Sequence, residues 1–173
     1  MIRRSDRPGA ADSVAADQRA ASVRIGLISD THGLLRPQAL AALAGSDFLI
    51  HAGDIGDAAI LERLRDIAPL TAVRGNNDVG AWAAELGETA ILEVGTVRIL
   101  VLHDITMLRR NHAETVQAVV SGHSHRPLCS ARDGVLFVNP GSAGPRRFSL
   151  PICVGVLHVA RSQVRAELIE LDS

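Results

Sequence analysis

The run Val23-Arg24-Ile25-Gly26-Leu27-Ile28 leads without a break into Ser29-Asp30-Thr31-His32. Six residues rich in Ile, Val and Leu read as a buried strand. An Asp-x-His directly behind it puts a carboxylate and an imidazole at the strand's carboxyl end, where open α/β sheets form their sites. The same arrangement recurs along the chain. Gly53-Asp54, Gly75-Asn76-Asn77-Asp78, His103-Asp104 and Gly122-His123-Ser124-His125 each follow an apolar run. Five polar clusters at strand ends imply one site assembled from loops. Carboxylate, amide oxygen and imidazole are donor types suited to a pair of divalent ions.

The elements between these clusters set the fold class. Pro37 opens a helix through Ala44, at a helix start that tolerates a missing amide hydrogen. Phe48 to Ile50 is a second strand. Asp57 caps a helix from Ala58 to about Ile67, with Ile60, Leu61, Leu64 and Ile67 on one face. Leu70 to Val73 is a third strand, so the chain starts βαβαβ, with parallel strands and right-handed crossovers. Ala90 to Val94 and Val97 to Leu102 flank Gly95-Thr96 as a hairpin. A helix around Asn111 to Gln117, strands at Ala118 to Ser121 and Val135 to Val138, and a final hairpin (Ile152 to Ala160, Gln163 to Leu171) complete the expectation. Parallel units first and antiparallel hairpins later imply an α/β, four-layer αββα sandwich, two mixed sheets face to face with helices outside.

Composition narrows the function. The 173 residues suit one domain with its own core, expected over 22–173, behind a disordered tail over 1–21. Net charge is −1 and aromatics make up 2% of the chain, leaving neither a basic footprint nor a stacking platform for stable nucleic-acid binding. Cys129 and Cys153 have no zinc or redox spacing and read as two buried small hydrophobes. No apolar stretch reaches the roughly 20 residues of a membrane span, and no signal-peptide core follows Arg3, Arg4 and Arg7. A cytoplasmic protein acting on a small substrate is expected. Apolar residues in the late hairpins fit either a core or a homo-oligomer interface.

Asp30-x-His32, Gly53-Asp54, Gly75-Asn76, His103 and Gly122-His123-x-His125, in this order, resemble the calcineurin-like metallophosphoesterase superfamily. Arg74-Gly75-Asn76-Asn77-Asp78 and Asn139-Pro140-Gly141-Ser142 look like its small bacterial and archaeal phosphodiesterase branch. The resemblance covers everything from about Val23 onward. It implies that Asp30, His32 and His125 hold one metal, that Asn76, His103 and His123 hold the other, and that Asp54 bridges them. It implies in-line attack on a phosphate ester by a hydroxide between the metals, with Asp54, Asn76 and His103 central to catalysis. Manganese is the first expectation for the two ions, with iron, nickel, cobalt or zinc also suited to these ligands. The glycine before Asp54, Asn76 and His123 would let the backbone turn or approach the metals, and amides at Gly75 and Gly141 would face the phosphate.

Singly, each residue has a duller reading. Asp30 fits an N-cap, Asn76 a turn, and the His123–His125 pair an incidental alternation on an extended segment. The ordered set is what favours a site. Two departures stand out. Asn77 occupies a position where many relatives carry a proton-donating His, and Asp104-Ile105 replaces a Gly-His. His51 and His112 are candidate substitutes that read better as structural. Arg74, Arg146 and Arg147 are candidates for outer contacts, but adjacent arginines read better as solvated surface and stay outside the expected site. The rival class is a non-catalytic protein-binding scaffold, since the retromer subunit that this fold resembles has lost part of the ligand set. Within the enzyme class, a phosphomonoesterase or a dinucleoside polyphosphatase is the alternative.

Overall fold

The computed structural model describes residues 22–109 and 116–171. The expected tail, and the helix around Asn111 with His112, lie outside the described residues apart from Val116 and Gln117, which are not helical. β1 (Val23–Ile28), β2 (Phe48–His51) and β3 (Leu70–Ala72) pair in parallel, and β9 (Cys153–Ala160) and β10 (Gln163–Glu170) add antiparallel to the free edge of β1. The second sheet runs β4 (Thr89–Val94), β5 (Val97–Leu102), β6 (Ala118–Val120), β8 (Val135–Asn139) and β7 (Leu128–Arg132). There β5, β6 and β8 are parallel, with antiparallel strands at both edges.

Alternation along the strands explains the layers. Ile25, Leu27, Ile50 and Leu157 of one sheet meet Val97, Ile99, Val101 and Val120 of the other in the central core. The opposite face of the first sheet offers Ile28, Leu49 and Val154 to α1 (Pro37–Leu43) and α2 (Ala58–Arg65). Asp57 caps α2 as expected, its side chain accepting from the Ala59 amide at 2.9 Å. On the outer face of the second sheet, Leu100, Leu102 and Val119 pack with Leu108 and Val116. A short helix α3 (Ala81–Ala84) and a 3₁₀ turn (Ile105–Met107) complete the described elements. None of the described helices is long and apolar enough to cross a membrane.

Two local expectations are corrected. Residues 128–132 form an edge strand that the sequence reading left out, because all five are exposed and carry no apolar alternation. Cys129 sits on that strand in solvent, whereas Cys153 is buried as expected.

Candidate metal centre

Six strands, β1, β2, β3, β5, β6 and β8, end on the same side of the sandwich, and their ladders continue into the loops. Asp30 N–H donates to Gly53 O (3.0 Å), His32 N–H to Asp54 O (2.9 Å), Val73 N–H to His51 O (3.1 Å) and Gly122 N–H to His103 O (2.9 Å). The loops are therefore fixed by main-chain bonds before any side chain acts. The two sheets are tied together there as well. Ser142 Oγ donates to Asp30 O (2.9 Å) and the His123 amide to Asp30 Oδ2 (3.2 Å), while Asn139 Nδ2 joins β8 to the loop after β6 in its own sheet through Gly122 O (2.7 Å).

All seven expected ligand residues converge. His125 Nε2 lies 3.2 Å from Asp30 Oδ1 and 3.3 Å from His32 Nε2. Asn76 Oδ1 lies 3.1 Å from both His103 Nε2 and His123 Nδ1. Asp54 Oδ2 stands between the groups, 3.8 Å from His32 Nε2 and 3.4 Å from His103 Nε2. Eight described residues other than glycine have positive φ, and five of them are in this set: Asp30, His32, Asp54, His123 and His125. Left-handed backbone costs roughly 1–3 kcal/mol per residue, and such strain gathers at functional sites. It also corrects the extended segment expected at His123 and His125. Left-handed turns, not strand alternation, send His123 to the Asn76 group and His125 to the Asp30 group.

The donor chemistry fits divalent cations. Asp30 is fully buried; its Oδ2 accepts from Ser29 Oγ (2.6 Å), but Oδ1 has no hydrogen-bond partner and faces His125. A buried carboxylate oxygen without a donor is costly unless a cation completes it. His103 Nδ1 lies 2.7 Å from the Ala52 carbonyl, which can only accept, so the neutral ring carries its proton there. Its Nε2 lone pair is then left facing Asn76 Oδ1 and Asp54 Oδ2. That is the tautomer a metal requires, set by an outer partner. Asp30, His32 and His125, and separately Asp30, Asp54 and His103, are spaced to share an ion.

Electrostatics divide the histidines. Burial lowers the pKa of His32 against the pull of Asp54 and Asp30. Burial also disfavours charge on His103, but hydrogen bonds with Asp54 and the Ala52 carbonyl outweigh it and raise its pKa. Burial would raise Asp54, yet hydrogen bonds from His103, when that ring is protonated on both nitrogens, and from Asn77 hold it well below the usual carboxylate range. His51 is fully buried and pushed down to about 3 by desolvation. Its Nδ1 accepts from Gly53 N–H (3.2 Å), and its Nε2 faces Thr31 Oγ1 (3.0 Å), whose hydroxyl donates to Ile55 O. His51 is thus a neutral brace between loops, in line with its structural reading.

Several roles were not read from the sequence. Asp78 is buried and accepts three main-chain N–H groups: Ile55 (2.7 Å) and Gly56 (2.9 Å) at Oδ1, and Gly75 (2.8 Å) at Oδ2. It locks the loop after β3 onto the loop after β2; its place two residues after Asn76 was the only signal. Asn77 donates its amide N–H (2.8 Å) and its Nδ2 (2.6 Å) to Asp54. The amides expected to face phosphate are already engaged, Gly75 with Asp78 and Gly141 with Asn139 Oδ1 (2.9 Å). What Gly75 and Gly122 supply is close approach. A Cβ on Gly75 would collide with Asp54, and one on Gly122 with the Ser29 hydroxyl and Asp30. Asp104 caps the 3₁₀ turn through Thr106, whose backbone N–H lowers its pKa, and its other oxygen lies 4.0 Å from His123 Nε2.

A cavity of about 790 Å³ opens beside Asn76, His103 and His123, with Leu102 and Met107 adding apolar wall and Arg74 and Arg109 adding charge. Arg74 is paired with Glu88 at 3.2 Å.

Comparison with known proteins follows the same lines. The model of the calcineurin-like phosphoesterase superfamily domain matches residues 23–162. A probable metallophosphoesterase of Methanocaldococcus jannaschii is 35% identical over 132 residues, 68% of this chain and 67% of its own length. In structure, an archaeal phosphodiesterase superposes with a TM-score of 0.70 at 22% identity, over 85% of this chain and all of that one. Vps29 of Chaetomium thermophilum superposes at 0.66 and 24%, over 85% and 97%. At these identities the two structures speak for a shared fold.

Proposed function

The chain belongs to the calcineurin-like phosphoesterase superfamily, and from that premise we propose that it is a metal-dependent phosphodiesterase. The observation that carries the reading is the buried, partnerless Asp30 Oδ1 facing His125, with Asp54 Oδ2 between the His32 and His103 nitrogens. Asp30, His32 and His125 would hold one divalent ion, Asn76, His103 and His123 a second, and Asp54 would serve both. Manganese is the first choice, and iron, nickel, cobalt and zinc fit the same ligands. Bound ions would supply positive charge to stabilise the phosphoryl oxygens and to acidify a water between them.

The chain's own groups define the rest. Asp30 and Asp54 bring two negative charges and the other ligands are neutral, so two divalent ions leave the site net positive and attractive to an anionic ester. The Ala52 carbonyl keeps the His103 proton on Nδ1. Asn77 holds Asp54 from two sides and has no acidic proton to give a leaving group. Esters with good leaving groups are therefore the better substrates. The cavity falls in the roughly 300–1,000 Å³ range of sites that enclose small organic ligands. That favours a diester with an organic arm over a small monoester.

The likeness to Vps29 supports a second reading, a scaffold of the same fold, against which the complete set of seven ligands weighs. The deciding experiment is elemental analysis of untreated protein, paired with hydrolysis of bis(p-nitrophenyl) phosphate before and after added manganese, with Asp54→Asn alongside. About two ions per chain, and activity lost in the variant, support the enzyme. No uptake and no turnover with any of the five metals make the scaffold the better reading.

A further inference from the structure

One exposed segment lies against the ligand loops without a part in the reaction described so far. Residues 145–149 follow Gly144, whose carbonyl accepts from the Arg36 guanidinium at 3.2 Å. Ala143 N–H donates to Ser29 O (3.0 Å), and a Cβ on Gly144 would collide with the carbonyl oxygens of Asp30 and Thr31. Leu150 N–H closes a turn onto Arg147 O at 3.1 Å. This anchored turn presents two side chains. Arg147 Nη2 reaches to 3.5 Å from His32 Nε2, the nitrogen that faces Asp54. Phe148, the next residue, is 93% exposed on a left-handed backbone, φ 53°.

Both placements are odd for a merely solvated loop. A guanidinium beside a nitrogen that must give its lone pair to a divalent ion loses that partner and meets like charge once the ion is bound. The remaining compatible partner is an anion drawn to the site, and a planar guanidinium matches phosphoryl oxygens. The chain has three Phe, one Trp and no Tyr. Phe48, Trp82 and Phe137 pack against the hydrophobic clusters, which leaves Phe148 as the one held out in water.

We propose that Arg147 and Phe148 form a substrate-reading turn: Arg147 takes a non-bridging oxygen of the phosphoryl group, and Phe148 stacks on a flat aromatic group carried by the same ester. This rests on the phosphodiesterase reading and narrows it to aromatic phosphate esters. The test is calorimetric binding of phenylphosphonate and methylphosphonate to the manganese-loaded protein, together with manganese affinity. Phe148→Ala is expected to weaken phenylphosphonate about 5- to 100-fold, the scale of aromatic stacking, and to leave methylphosphonate within about twofold. Arg147→Met is expected to weaken both about 10- to 100-fold, the scale of a charged hydrogen bond. Its manganese affinity is expected to be unchanged or higher, because a neighbouring positive charge is gone; Arg147→Lys recovers part of the loss. Equal effects of Phe148→Ala on the two phosphonates, no preference between them in the wild type, or weaker manganese binding in Arg147→Met would overturn the proposal. A wild type that binds no manganese and cleaves no ester fails earlier, at the phosphodiesterase reading itself.

Discussion

Asp30, His32 and His125 meet in a buried corner, whereas Asn76, His103 and His123 stand at the wall of a cavity, with the His123 side chain 47% exposed. The buried group contains a carboxylate whose free oxygen lacks a partner; the open group offers an amide oxygen and two imidazoles. Their supports differ too. The buried corner is braced by Ser29, Ser142, Ala143 and the His51–Thr31 pair. The loop carrying Asn76 is fastened through the Asp78 carboxylate. On the proposed two-metal reading, the buried half would retain its ion more tightly than the open half, which lies against the cavity. A chelator should therefore strip the open half first.

Asp30→Ala gives the largest expected effect on this contrast. It removes the corner's charge, and metal retention should fall by more than the roughly 10–100-fold that outer partners cost. Isothermal titration with manganese checks this, and a variant that still binds two ions tightly would erase the distinction between the halves.

Asp78→Ala comes next. It strands three buried or half-buried N–H groups at about 1–3 kcal/mol each. For a chain of this size the melting temperature should fall by about 10 °C or more, at roughly 2–4 °C per kcal/mol. The open half should loosen more than the corner.

His51 gives a smaller effect, visible only in acid. Its folded pKa, about 3, lies below the ordinary 6.5, so the unfolded chain takes up the proton first. Stability from this group is complete above 6.5 and is lost as pH falls toward 3, by up to about 1.4 kcal/mol per unit. His51→Gln should flatten that part of the metal-free protein's denaturation profile; an unchanged slope would count against the buried neutral brace. The smallest effect is expected of Asp104→Asn, which keeps the cap on Thr106 but removes the charge near His123. Manganese affinity of the open half should drop about tenfold, the low end for an outer carboxylate.

The convergence of the seven candidate residues was legible because their side chains are chemically conspicuous and their clusters follow apolar strands. The parallel order of β1, β2 and β3, the hairpin at Gly95 and the α2 cap were legible from local pattern in the same way. What escaped the sequence was decided by partners far along the chain. Beyond its place two residues after Asn76, nothing local marks Asp78 as the acceptor of three amides, since all three come from elsewhere in its own and a neighbouring loop. The amides of Gly75 and Gly141 looked available only because Asp78 and Asn139 could not be seen claiming them. The left-handed turns at His123 and His125 are imposed by surrounding loops, since neither residue favours that backbone alone. β7 escaped because an exposed edge strand needs no apolar side chains, only the ladder to β8.

The main-chain ladders that run past the ends of β1, β2, β3 and β5 separate architecture from chemistry. Apart from the loop carrying Asn76, which the Asp78 carboxylate fastens, each loop keeps much of its path through N–H and C=O groups that every residue type except proline supplies, so side chains at His32, Asn76 or His123 can be exchanged without dismantling the sandwich. A lineage built on such a frame has a short road between catalyst and inert surface. Few substitutions abolish turnover while the shape persists for other uses, and equally few restore it.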